Sequence, residues 1–177
     1  LKHIQQQFKN KPEFEIRIVE AIKNEIPALG LWKSIRKIVQ LAIKNDDDVI
    51  VICKDDHEFT KNYSKKYLFS NIIEAYQQNV NYLAGGTSAF RYAIPVSENR
   101  YWIHPCQSTQ FLVIYKNFFR KILDEPYDKK VKADLKLSEM KKITSAALIA
   151  VGILLTALSG NKESNKDIYK KDRVMEA

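Results

Sequence analysis

Two short Cys/His pairs are the first candidates for chemistry in this chain. Cys53 and His57 lie four apart, and His104 and Cys106 lie two apart. Brought together, two thiolates and two imidazoles make the tetrahedral donor set that zinc accepts. Neither pair has the C-x-x-C spacing of common structural sites, however, and a core thiol beside a surface imidazole accounts for each pair without metal. A Cys53–Cys106 disulfide is the other use of the two thiols. Cys106, with His104 or His57 as base and Asp55 or Asp56 as orienter, also has the residue types of a Cys/His hydrolase, on no stronger ground than residue type. No catalytic, cofactor-binding or metal-ligating residue is assigned on this basis, and no cofactor is expected.

Carboxylates and glycines give two further patterns. Asp46, Asp47, Asp48, Asp55 and Asp56 bracket a β-branched run. Converging carboxylates with a nearby lysine are what a magnesium nuclease requires. Here Ile52 stands two residues before Lys54, where the acid-x-lysine arrangement puts a carboxylate, so solvated turns are the simpler account. Gly85-Gly86-Thr87-Ser88 would offer backbone amides to a phosphate, but it lacks the G-x-x-x-x-G-K-[ST] spacing of a P-loop and reads as a turn. Basic stretches with interleaved aromatics, Lys61 to Tyr67 and Tyr115 to Lys121, have the residue types for phosphate contact and base stacking, although aromatics at helical spacing usually face a core.

The elements that must position these residues follow from periodicity. Phe14, Ile18, Ala21 and Ile22 predict a helix from Glu13 to Ile26, stopped by Pro27. Leu31, Ile35, Ile38, Val39 and Ala42 predict an amphipathic helix ending near Asn45. Val49-Ile50-Val51-Ile52-Cys53 reads as a buried strand. A longer helix is expected from His57 to Asn79, and Gly85 to Ser88 ends that unit. Phe90 to Val96 and Tyr101 to His104 read as strands of a hairpin around Ser97-Glu98-Asn99-Arg100, with Pro95 placing the first on an edge. Phe111, Leu112, Ile114, Tyr115, Phe118, Phe119 and Ile122 predict a helix from Thr109 to Leu123, closed by Pro126. The expected class is α+β, mostly helical with a small antiparallel sheet or hairpin, plus one C-terminal apolar helix. No fixed-period repeat is present.

That last segment is the least ordinary. Residues 143–160 contain no charged side chain. At about 1.5 Å per residue they reach roughly 27 Å, just short of a hydrocarbon core of about 30 Å. Ile143, Leu148, Ile149, Ile153, Leu154, Leu155 and Leu158 supply the apolar surface. Gly152 and the neighbouring alanines allow a second helix to approach closely. The division expected is a basic α+β domain (1–127), a lysine-rich linker or helix (128–142), an apolar and transmembrane-compatible helix (143–160) and a polar tail (161–177).

The chain of 177 residues carries a net charge of +8. Residues 1–45 hold nine basic and four acidic residues, residues 46–90 four and seven, and residues 91–142 eleven and six. Two basic flanks around an acidic middle suit anionic lipid, acidic protein or nucleic acid. With the apolar segment, this gives a non-catalytic accessory or structural subunit of a membrane complex, its partners being other subunits and anionic lipid. Leu1 in place of an initiating Met, and the cationic balance, suggest a mitochondrial inner-membrane location with the domain facing the matrix. Two alternatives stand beside it. One is a soluble basic binding module for nucleic acid or an acidic protein, with the C-terminal helix buried in its own core; the other is the Cys/His hydrolase.

Overall fold

The computed structural model describes residues 1–107 and 110–126 together with Ala133, Lys136, Leu137 and Met140. The apolar segment, with Ile143, Leu148, Ile149, Gly152, Ile153, Leu154, Leu155 and Leu158, lies outside the described residues. The described chain is α+β, with four helices and two small antiparallel sheets. In chain order these are α1 (Lys2–Phe8), α2 (Pro27–Lys44), β1 (Val49–Cys53), α3 (Lys65–Gln77), β2 (Tyr82–Gly85), β3 (Ala89–Pro95), β4 (Tyr101–Gln107), β5 (Phe111–Tyr115) and α4 (Lys116–Asp124).

Strand β5 runs between β1 and β2 and is antiparallel to both. β1 and β2 are therefore parallel to each other, and each follows a helix. Both helices end on the same device. Asp46 and Asn79 take the left-handed conformation, each with φ 58°. Just beyond them the Asp47 amide reaches back to the Ala42 carbonyl at 2.9 Å, and the Val80 amide to Ala75 at 3.0 Å. This six-to-one closure needs a residue that tolerates positive φ, which Asn and Asp do best after glycine.

Alternate residues of the sheet feed two cores. Ile50, Ile52, Tyr82, Ala84, Leu112 and Ile114 pack with Trp32, Ile35 and Val39 of α2 and Phe118, Phe119 and Ile122 of α4. Val51, Cys53, Leu83, Phe111, Val113 and Tyr115 pack with Leu68, Ile72 and Ala75 of α3 on the other face. The β3–β4 hairpin closes the α2 side through Phe90, Ala93, Ile103 and Cys106. At its turn the fully buried Arg100 pairs with Glu74 of α3, Nη2 to Oε1 at 2.7 Å.

Three expected elements are corrected. Residues 13–26 are not helical. They form a strap running antiparallel to α2, held by Arg17 to Asp47 at 3.4 Å, the Lys37 amine to the Glu20 carbonyl at 3.4 Å, and the Ile22 amide to Ser34 Oγ at 2.8 Å. Ile16 and Ile18 lie exposed on it while Phe14 packs against the α3-side core, so the apolar residues there do not share one buried helical face. Pro27 opens α2 at its first turn instead of stopping a helix, a position where the missing amide costs nothing. The helix expected from His57 starts only at Lys65, where Ser64 Oγ caps the Tyr67 amide. The helix expected from Thr109 to Leu123 is β5 followed directly by α4.

The strap makes Gly30 necessary. A Cβ at this position would stand 2.7 Å from the Ile22 carbonyl oxygen, a backbone atom with no rotamer to yield. Gly30→Ala gains helix propensity but must push the strap away. The expected balance is a loss of about 1–2 kcal/mol, read as a lower urea midpoint, with the Ile22 amide losing exchange protection.

Candidate functional site

The parallel course of β1 and β2 brings two of the sequence patterns to one place. Cys53 and Gly85, the last residues of their strands, both register against Phe111, the first residue of β5. The Lys54–Asp56 turn and the Gly86–Ser88 turn thus emerge on either side of Gln110. The Lys54 amide donates to the Gln110 carbonyl at 3.2 Å, and Gln110 Nε2 donates to Asp56 Oδ2 at 3.3 Å. Gly86 has φ +67°, and a Cβ there would meet the Gln110 side chain at 3.4 Å. The left-handed turn therefore calls for glycine, and the position lies in ordinary contact with the residue that holds Asp56. Asp55 and Asp56 are exposed. Gln110 Oε1 is buried without a hydrogen-bond partner among the described residues, leaving one acceptor at this sheet end unused.

This arrangement places two exposed carboxylates and a glycine turn at one end of the antiparallel sheet, on the strands either side of β5. Among the described residues no group of three or more His, Cys, Asp or Glu is gathered closely enough to hold a metal ion by protein ligands alone. Asp46, Asp47 and Asp48 lie at the opposite end of β1, where Asp46 and Asp48 pair with Lys116 at 2.7 and 3.1 Å, so the five aspartates do not converge.

The Cys/His residues are distributed between the two cores. Cys53 packs on the α3 side and Cys106 on the α2 side, and the two sulfurs are not joined to each other. Burial pushes the Cys53 thiol up to about 12, so it is protonated at neutral pH and a poor nucleophile. His104 stacks on Trp102 with ring centroids 5.8 Å apart.

His57 is buried between Phe59 and Phe111, at centroid distances of 4.7 and 5.3 Å. Its Nε2 has no hydrogen-bond partner among the described residues, while its carbonyl accepts from His3 Nε2 of α1 at 3.1 Å. Desolvation lowers the His57 pKa below the ordinary imidazole value. His3 and Lys11 push the same way, against the opposing pull of Asp56 and Glu58. The folded protein prefers neutral His57, so this contribution is complete above about pH 6.5 and is lost as pH falls through the depressed folded value. Unfolding free energy is therefore expected to decline from pH 7 to 5, and His57→Phe to flatten that decline in parallel denaturant titrations.

Sequence reasoning identifies both turns but not their meeting, which depends on β1 and β2 each pairing antiparallel with β5. It missed Gln110 altogether; a polar residue just before an apolar run carries no distinguishing signal. The chain matches no protein-family model, no curated protein and no solved structure.

Proposed function

We propose that the folded domain is a binding module for a phosphate-bearing small molecule, held through a divalent cation at the Asp55–Asp56 and Gly86–Ser88 end of the central sheet. The observation that carries this reading is the emergence of both turns around Gln110, with Asp56 tied to Gln110 Nε2 at 3.3 Å. Magnesium needs only one or two carboxylates when phosphate oxygens and water complete its octahedron, so a pair of aspartates suffices once the ligand brings its own oxygens. The glycine turn allows close backbone approach, and Thr87 and Ser88 add hydroxyl donors. Calorimetric titration with manganese and inorganic pyrophosphate, together and separately, tests this. Cation-dependent pyrophosphate binding that weakens at least tenfold in Asp55→Asn and Asp56→Asn agrees with the proposal. No binding, or equal binding by both variants, refutes it.

A second reading concerns the remainder of the chain: a non-catalytic accessory subunit of a membrane assembly, placed in the mitochondrial inner membrane with the domain towards the matrix. It rests on the charge-free residues 143–160, whose small side chains suit packing against partner helices. Among the described residues no helix is long and apolar enough to cross a membrane. Carbonate extraction of membranes from the native source decides this reading, since release with soluble proteins removes it. Nucleic acid is the less favoured partner, because Phe59, Tyr63, Tyr67, Phe118 and Phe119 pack into the cores and are not displayed for base stacking.

A further inference from the structure

We propose that the outward row of α2, formed by Lys33, Lys37 and Lys44, is a docking surface for an anionic lipid bilayer. The helix buries Trp32, Ile35, Val39 and Ala42, and at 100° per residue Lys33, Lys37, Gln40 and Lys44 project from the opposite side. Lys33, Gln40 and Lys44 are exposed and Lys37 is half-buried. No acidic residue occurs in the 18 residues of α2. Among the described residues none of the three lysines pairs with a carboxylate; Lys37 alone makes a polar contact, at 3.4 Å to the Glu20 carbonyl.

From Lys33 to Lys44 the row spans about 16 Å at 1.5 Å per residue, on the side of α2 turned away from its buried residues. Three flexible ammonium groups in one row, with no acidic residue on their helix, complement a laterally mobile anionic surface. Nothing in the row resembles the aromatic platform that single-stranded nucleic acid uses. The bilayer as partner rests on the membrane reading of residues 143–160, which would hold the domain at the surface where the ridge acts.

Each lysine near an anionic membrane strengthens association about fivefold, so three account for about 100-fold. The test uses the full chain with vesicles of phosphatidylcholine alone and with phosphatidylglycerol added. It compares the natural sequence with Lys33→Gln/Lys37→Gln/Lys44→Gln and with Lys61→Gln/Lys65→Gln/Lys66→Gln, which removes equal charge from the α3 side. The expected result is that the α2 triple variant loses about 100-fold in anionic over neutral partition, while the α3-side variant changes it several-fold at most and both retain the natural melting profile. Equal losses in the two variants, no loss in either, or a loss confined to oligonucleotide binding would overturn the assignment of this ridge. Failure to bind either vesicle type overturns the membrane reading itself, whereas strong neutral binding without a lipid-charge effect leaves that reading standing and removes only the ridge.

Discussion

Glu74→Ala is expected to destabilise the protein by about 2 kcal/mol although Glu74 is itself half exposed, because the substitution strands a guanidinium in the interior. Arg100 is fully buried at the turn between β3 and β4. Its Nε donates to Ser97 Oγ at 3.2 Å, and Nη2 lies 2.7 Å from Glu74 Oε1 in an approach too bent for a hydrogen bond. Nη1 has no partner among the described residues, so Glu74 is the charge that makes the burial tolerable. Breaking a buried pair by removing one partner generally costs about 3–5 kcal/mol, and water reaching the exposed side of Glu74 lowers the figure here. Replacing both partners, as Arg100→Met with Glu74→Ala, removes the uncompensated charge and should recover most of the loss. Urea titrations of the two single variants and the double variant check this. Equal, additive losses would mean that Arg100 is held by packing and not by its counter-charge.

The second large effect is expected at the middle of β5. Ile114 is fully buried and registers with Ile50 on β1 and Tyr82 on β2, so its side chain anchors the sheet to α2 and α4. Ile114→Ala should cost about 3 kcal/mol through lost transfer energy and the cavity left between strand and helices. Ile73→Ala, at a side chain that is 55% exposed on α3, should change stability by less than about 0.5 kcal/mol. Denaturant midpoints for the pair give the comparison directly. A small effect at Ile114 would contradict the central position of β5.

The same strand shows where sequence periodicity loses its force. Phe111-Leu112-Val113-Ile114-Tyr115 is buried at every residue because helices cover both faces of the sheet. The two-residue alternation that identifies a half-exposed strand is therefore missing, and the run merges with the apolar face of α4 into one helical pattern. The Glu13–Ile26 stretch differs in the opposite way: its apolar residues at helical spacing fall on a strap whose backbone is held by α2, where Phe14 reaches the α3-side core but Ile18 and Ala21 lie exposed. α2, the β3–β4 hairpin and β1 are legible because each carries its own local signal, an unbroken amphipathic stripe, two aromatic strands around a polar loop and a β-branched run, although β1 lies half-exposed at the sheet edge and is not the buried strand that run predicts.

By itself the amino-acid sequence determined the α+β class, the amphipathic α2, the hairpin with Pro95 on its edge strand, and the residue types of both turns, since each depends on neighbours within a few positions. Only the tertiary structure decided that Asp55–Asp56 and Gly86–Ser88 flank Gln110, that Cys53 and Cys106 serve different cores, and that Arg100 lies buried against Glu74. Those relations join residues far apart along the chain. They are set by how β1 and β2 pair across β5 and by which face each helix covers, and no local pattern of side chains encodes that pairing.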